Sequence, residues 1–135
     1  MENMLINHLA VLAAALSDLL VGALWFSPVL FYKPWMKANG FTEEILKKGN
    51  PALIFGLTFL FSLIISYNLA FFLGDANTTA LWGLMAGVLA GLGWAAMGLG
   101  IISLFERRPP SYFFIHAGYL TVAFALKGLI IGVWR

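Results

Sequence analysis

The stretch INHLAVLAAALSDLLVGALWF, residues Ile6 to Phe26, decides the fold class of this chain. Asp18 is its only acidic residue, and it contains no Lys or Arg. Roughly 20 consecutive apolar residues are needed to cross the hydrocarbon core of a bilayer as an α-helix. The apolar run is continuous and lacks the alternation of a membrane β-strand. This stretch therefore predicts a transmembrane helix.

Three more apolar segments of similar length follow, at about residues 52–73, 80–104 and 112–134. Of the 135 residues 61% are hydrophobic and only 10% are charged, against about 25% charged in soluble domains. The first segment, about residues 6–26, is expected to be retained rather than cleaved as a signal peptide, because no basic residue precedes it. We predict an all-α integral membrane protein, a four-transmembrane-helix bundle forming one domain over residues 1–135.

The basic residues are placed asymmetrically between the connections that join these spans. The first connection carries Lys33, Lys37, Lys47 and Lys48, the third carries Arg107 and Arg108, and the second carries only Asp75. Basic loops stay on the cytoplasmic side. We therefore expect a multi-pass protein of the cytoplasmic membrane, with loops 27–51 and 105–111 in the cytoplasm and both termini outside. Lys33, Lys37, Arg107 and Arg108 are predicted to contact lipid headgroups.

An aromatic segment, GALWFSPVLFYKPWMK, residues 22–37, ends the first span. Aromatic rings beside lysines are typical of the membrane interface. Pro28 is expected either to end the first span or to start a new turn; in the second case Ser27 is a helix N-cap with proline at the first helical position. A short interfacial helical segment between spans one and two is therefore expected, followed by a second short helix that Thr42 caps.

The same segment resembles a known family. Its pattern Gly-x-x-Trp-aromatic-Ser-Pro-x-x-Phe-x-Lys-x-Trp is carried by Gly22, Trp25, Phe26, Ser27, Pro28, Phe31, Lys33 and Trp35. This resembles the signature of the small membrane proteins catalogued as domain of unknown function seventeen-sixty-one. Tyr32 departs from the small residue expected at its place in the pattern. The resemblance implies the four-span architecture over the whole chain and supplies no activity.

Asp18 lies near the middle of the first span, where a charged side chain costs roughly 2.5–3.5 kcal/mol. Its neighbours on the same helix face are mostly small, which favours close contact with another helix. Lys127 is the basic residue well inside a span and lies at a similar depth, so we predict that the two pair. Three roles stay open: a structural salt bridge, a transport or proton-linked site, or a protonated Asp18 with Lys127 extended towards the headgroups.

Small and polar residues mark several helix contacts. Gly83, Gly87 and Gly91 recur at four-residue spacing and predict close backbone packing of the third span. Ser62 and Ser66 continue a hydroxyl ladder that starts at Thr58, with Asn68 nearer the outer end; they predict hydrogen bonds between helices or a hydrated pathway.

The fourth span has two different faces. One carries the small residues Gly118, Thr121, Ala125, Gly128 and Gly132, and the opposite one carries His116, Ala123, Lys127 and Trp134. We expect one face to pack within the protomer and the other to line a cavity or meet another subunit. This two-sided pattern predicts a homo-oligomer, although a helix enclosed within one chain would share it.

The sequence lacks the residue patterns of several common metal-binding, catalytic and phosphate-binding sites. There is no cysteine, and the two histidines, His8 and His116, are expected at opposite membrane faces, so no metal site is predicted. No nucleophile elbow or phosphate-binding motif occurs. We expect no cofactor, and the basic loops fit anionic lipid better than nucleic acid.

The leading hypothesis is a homo-oligomeric transporter-like or channel-like protein in the lipid bilayer, acting on a small molecule or an ion. Its intramembrane polar site comprises Asp18, Lys127, Ser62, Ser66, Asn68 and His116. One alternative is a non-catalytic structural or accessory membrane subunit. Another is a lipid-active enzyme at the cytoplasmic interface, using His116, Glu106, Arg107 and Arg108; an enzyme is the less favoured reading.

Overall fold

The computed structural model describes residues 6–135, and within that range it is built from helices and turns without strands. Four helices are long and apolar enough to cross a membrane: His8–Trp25, Pro51–Phe72, Ala80–Phe105 and Pro110–Val133. The predicted all-helical, four-span bundle of a multi-pass membrane protein is thereby confirmed.

The first span, α1 (His8–Trp25), is capped by Asn7, whose side chain accepts hydrogen bonds from the amides of Leu9 and Ala10. The interfacial helix α2 (Tyr32–Asn39) follows after a turn and ends at Gly40, whose φ of 67° is left-handed. Glycine adopts this conformation without the steric cost that a Cβ imposes. A short helix between spans one and two is therefore present, as predicted.

The predicted N-cap at Ser27 is wrong. The hydroxyl of Ser27 donates to the carbonyl oxygen of Leu24 (2.6 Å), and its own carbonyl accepts from the amides of Leu30 and Tyr32. Ser27 therefore closes the end of α1 and organises a turn. Because that turn occupies residues 26–31, α2 begins only at Tyr32.

Two helices complete the first half of the chain. The short α3 (Glu43–Lys47) is capped by Thr42, whose hydroxyl accepts from the amide of Ile45 at 3.2 Å, as the sequence predicts. The second span, α4 (Pro51–Phe72), starts with a side-chain cap from Asn50 and a proline in its first turn.

The third span changes its winding near its middle. It begins as α5 (Ala80–Ala90), continues as a π-helical segment (Gly91–Ala96) and ends as α6 (Met97–Phe105). A π-helical segment takes more residues per turn than an α-helix, so it shifts which side chains face a neighbouring helix. The sequence reading predicted one uninterrupted helix here and missed this change.

The fourth span, α7 (Pro110–Val133), packs closely on α5 through glycine. A Cβ added at Gly83 would overlap the carbonyl oxygen of Gly128, and one at Gly87 would overlap that of Phe124. The backbones of α5 and α7 are therefore in direct contact, which confirms the predicted role of the glycine pattern.

In the second half of α7 both faces are covered by the same chain. Gly128 and Gly132 lie against α5, while Lys127 on the other side is buried against α1. The two-sided pattern therefore has an explanation within one protomer. The homo-oligomer stays a prediction.

The hydroxyl ladder of α4 holds α1 in place. Ser62 donates across the helix contact to the carbonyl oxygen of Ala15 (3.0 Å), and Ser66 donates back to Ser62 within α4 (2.7 Å). Both serines are buried. Of the two roles predicted for this ladder, the structure shows helix-to-helix hydrogen bonding at Ser62.

The two basic connections lie at the same end of the bundle. α2, from the first connection, contacts α7, and the indole of Trp25 donates to the carbonyl oxygen of Ile115 near the start of α7. We call this the basic end. At the opposite end the guanidinium of Arg135 bonds to the carbonyl oxygens of Leu73 and Asp75.

Candidate functional site

Asp18 reaches α7 because the residues around it on α1 are small. Val11, Ala14 and Ala15 lie one and two turns before it and are fully buried. Side chains of this size let two helices approach closely, as the sequence predicts. Asp18 thus lies at the contact between the two helices, with 6% of its surface exposed.

Lys127 of α7 supplies the counter-charge. Its ammonium pairs with Oδ2 of Asp18, and its side chain has no exposed surface. The ammonium also lies 5.1 Å from the centre of the Phe124 ring. The predicted contact between Asp18 and Lys127 is therefore present. A buried pair of this kind is much less costly than either charge alone.

Tyr119 is the third member of the site, and sequence reasoning missed it. Its hydroxyl donates to Oδ1 of Asp18, so each carboxylate oxygen has its own partner. The signal was available, because Tyr119, Ala123 and Lys127 follow one another at four-residue steps along one side of α7.

Gly22 lies beside the Tyr119 ring. A Cβ added at Gly22 would lie 3.6 Å from that ring, which is ordinary van der Waals contact. Gly22 belongs to the aromatic segment 22–37, so that segment contributes directly to the surroundings of Asp18.

A groove of about 630 Å³ opens beside Asp18 between α1, α2, α4 and α7. Its volume is within the range of about 300–1,000 Å³ that is common for small-molecule sites. The Asp18 side chain, 8% exposed, lies on its wall. The other polar residues that line the groove are Thr58, His116 and Tyr119, and the apolar ones include Phe26, Trp35, Ile54 and Phe55.

An aromatic cluster covers this groove at the basic end. Phe26 is its centre: the ring lies 5.1 Å from that of Trp35, 5.6 Å from that of His116 and 5.4 Å from that of Tyr119. These separations are typical of favourable aromatic pairs. The rings predicted to face the headgroups thus pack on one another over the polar site.

The remaining signature residues shape the turn that carries Phe26. Trp25 packs on Phe31 (4.8 Å between ring centres) and donates its indole N–H to the carbonyl oxygen of Ile115 (2.9 Å). Ser27 and Pro28 lie in the turn itself. The signature therefore positions the first span and its aromatic cluster against α7.

Several predicted site residues are not brought to Asp18. Ser62 is buried at the contact with α1, Ser66 is buried and bonds within α4, and neither lines the groove. Asn68 is exposed and bonds to the carbonyl oxygen of Ile64 in its own helix. Within residues 6–135 His116 forms no hydrogen bond with Glu106, which instead lies 3.8 Å from Arg108.

The opposite end of the bundle carries a separate polar contact. Nδ1 of His8 lies 2.8 Å from the Tyr67 hydroxyl, far along the chain from His116. Among residues 6–135 no group of three or more His, Cys, Asp or Glu side chains is close enough to hold a metal ion.

The chain matches a family model described as "Protein of unknown function (DUF1761)" over residues 9–132. It belongs to this family. The match covers the four transmembrane helices except His8, the first residue of α1, and Val133, the last residue of α7. It includes the whole aromatic signature. No curated protein and no solved structure gives a significant match to the chain. The family resemblance stated for residues 22–37 is confirmed.

The Asp18 carboxylate can accept more hydrogen bonds than it receives from Lys127 and Tyr119. An ionised carboxylate offers about four acceptor positions, and Lys127 and Tyr119 take two of them. Asp18 lines the groove, whereas Lys127 is fully buried and is not among the lining residues.

Proposed function

We propose that this protein is transporter-like, with Asp18 as the group that responds to a proton or a cation and Lys127 as its internal competitor. One observation carries the proposal: the Asp18 carboxylate is held in a buried ion pair and still lies on the wall of a groove of about 630 Å³. Ionisable residues inside membrane spans commonly mark ion or substrate pathways.

Lys127 and an entering proton or cation compete for the same carboxylate, that of Asp18. Within residues 6–135 Asp18 is the sole carboxylate within ion-pair distance of Lys127. When a proton or a cationic solute neutralises Asp18, the buried ammonium loses its counter-charge. An unpaired buried charge costs several kcal/mol, so the contact between α1 and α7 must rearrange. Occupancy of the groove is thereby coupled to helix movement.

The walls favour a small amphipathic solute. Phe26, Trp35 and Phe55 provide aromatic and apolar surface, and aromatic faces attract organic cations. The proposed substrate class is a proton or a small organic cation.

Proton movement in reconstituted vesicles tests this proposal. Phosphatidylcholine vesicles containing a pH-sensitive dye would be energised with a potassium gradient and valinomycin, with and without external tetraethylammonium, an organic cation that crosses lipid bilayers poorly. We expect the interior of the vesicles to acidify with the wild type and this acidification to be lost in Asp18→Asn. Ser103→Ala is the matched control, since Ser103 is a buried hydroxyl that bonds only within its own helix.

The result that contradicts the proposal is equal proton movement, with and without the organic cation, in the wild type, in Asp18→Asn and in protein-free vesicles. Folding of each variant is checked by circular dichroism and by elution as a single peak in detergent. Tyr119→Phe gives a second variant that keeps the charge pair and removes one hydrogen bond.

A structural role is the second candidate, and a different observation favours it. Each of the two oxygens of Asp18 is partnered, and Lys127 is wholly buried, as in a pair that serves only to hold helices together. The double exchange Asp18→Lys with Lys127→Asp distinguishes the two. A structural pair tolerates the exchange, whereas a carboxylate needed on the groove wall does not.

A further inference from the structure

A second groove runs along the outside of the bundle between α6 and α7. At the basic end it holds about 530 Å³ between Met97, Ile101, Phe113 and Phe114, with Arg108 at its mouth. A further volume of about 370 Å³ shares Met97, Phe113 and Phe114 and continues along α7 as far as Val122. The two volumes therefore adjoin each other, and the walls of both are almost wholly apolar.

The length of this groove matches half of a bilayer. From Pro110 to Val122 it extends for about 18 Å at the helical rise of 1.5 Å per residue. The hydrocarbon core is about 30 Å thick, so one leaflet contributes about 15 Å. The groove therefore reaches from headgroup level to the middle of the membrane.

Small residues make the floor of the groove. Ala117, Gly118 and Thr121 line it, and the Trp25 ring lies against Gly118. The sequence places Gly118 and Thr121 on the same small-residue seam as Gly128 and Gly132, and only the latter two receive α5. The span changes to π-helical winding at Gly91–Ala96 before α6 begins. On the side of the π-helical segment where α6 lies, Gly118 and Thr121 line an open groove.

The mouth of the groove is positively charged. Arg107 and Arg108 follow α6, and Arg107 adopts a left-handed backbone (φ 57°) where glycine is the usual residue. Arg108 lies 5.1 Å above the Tyr112 ring and 3.8 Å from Glu106. A contact that long between exposed side chains is weak, so it leaves most of the guanidinium donors free.

We propose that this groove binds one anionic phospholipid, with an acyl chain between α6 and α7 and the phosphate on Arg108 and Arg107. Guanidinium groups bind phosphate through paired hydrogen bonds. A second copy of this chain is the competing occupant. A two-fold dimer at this face would bring four arginines together at the same end of the membrane, whereas an anionic lipid neutralises them.

Native mass spectrometry of the intact protein in detergent tests the proposal. The probes are palmitoyl-oleoyl phosphatidylglycerol and palmitoyl-oleoyl phosphatidylcholine, each added at the same concentrations. We expect one phosphatidylglycerol to be retained at activation energies that strip phosphatidylcholine. In Arg107→Gln/Arg108→Gln its affinity falls by about fivefold per arginine removed.

Two further variants distinguish lipid binding in this groove from a general attraction of anionic lipid to a basic surface. Lys33→Gln/Lys37→Gln removes the same number of charges from α2, outside the groove, and is expected to change retention less than twofold. Met97→Trp fills the groove from a residue that is 44% exposed, so the fold loses little packing. It is expected to reduce retention of both lipids without changing the preference for the anionic headgroup.

Three results overturn the proposal. Equal weakening by the arginine and lysine double variants means a diffuse charge effect, and unchanged retention in Met97→Trp means that the chain does not lie in the groove. A dimer that persists in the wild type and is lost in Met97→Trp, with no lipid retained by either, identifies a second copy as the occupant.

Discussion

Trp25 at the end of α1 donates its indole N–H to the backbone carbonyl oxygen of Ile115 in α7, at 2.9 Å. These residues are far apart in the chain, so the bond fixes how deep the first span sits against the fourth. Asp18 lies two turns before Trp25, and Tyr119 lies one turn beyond Ile115. The signature tryptophan therefore sets the helix register in which the carboxylate meets its partners.

Removing one member of the charge pair is expected to destabilise the protein more than removing both. Lys127→Met leaves a buried carboxylate with only Tyr119, and loss of one partner from a buried ion pair costs about 3–5 kcal/mol. The double variant Asp18→Asn/Lys127→Met replaces both charges and should recover most of that loss. Thermal unfolding in one detergent measures both. A double variant less stable than Lys127→Met would contradict this account.

Tyr119→Phe is expected to lower the free energy of unfolding by about 1.5–3 kcal/mol, because it removes a part-buried hydrogen bond to a charged group. Tyr67→Phe is the matched control, since its hydroxyl also has a side-chain partner, His8, but in an exposed position. Its cost should stay near 0.5–1.5 kcal/mol. Equal losses in chemical-denaturation curves would mean that the bond to Asp18 has no special importance.

The stability change caused by replacing a glycine should depend on whether that glycine lies against another helix. Gly83→Ala and Gly87→Ala place a methyl group into the backbone of α7, so we expect separation of α5 from α7 and a loss of several kcal/mol, as for other overpacked contacts. Gly56→Ala and Gly93→Ala have no atom within 4 Å of the added carbon. They should be neutral or stabilising by up to about 1 kcal/mol. Melting temperatures of the four variants provide the comparison.

Features that depend on length, hydropathy or residue size were predictable from the sequence. The four spans and the close approach at Gly83 and Gly87 follow from such patterns, and so does the contact between Asp18 and Lys127, because a charge in hydrocarbon needs a partner at its own depth.

Features that depend on the register between helices were not predictable. Tyr119 lies on the predicted polar face of α7, yet its bond to Asp18 requires the depth that Trp25 and Ile115 fix. The π-helical segment has no marker in composition, since glycine also occurs in ordinary transmembrane α-helices. Ser27 was misassigned because a serine before proline suits both a helix start and a turn.

Orientation is the last prediction, and the sequence itself makes it easy to measure. The chain has no cysteine, so a single cysteine at Lys47 in the first connection or at Asn77 in the second reports its side of the membrane without interference. The basic end carries Lys33, Lys37, Lys47, Lys48, Arg107 and Arg108. Basic loops remain cytoplasmic. In intact cells a membrane-impermeant maleimide should therefore label Asn77→Cys and spare Lys47→Cys until the membrane is opened; the reverse pattern would place the Asp18 groove and the arginine mouth on the outer side.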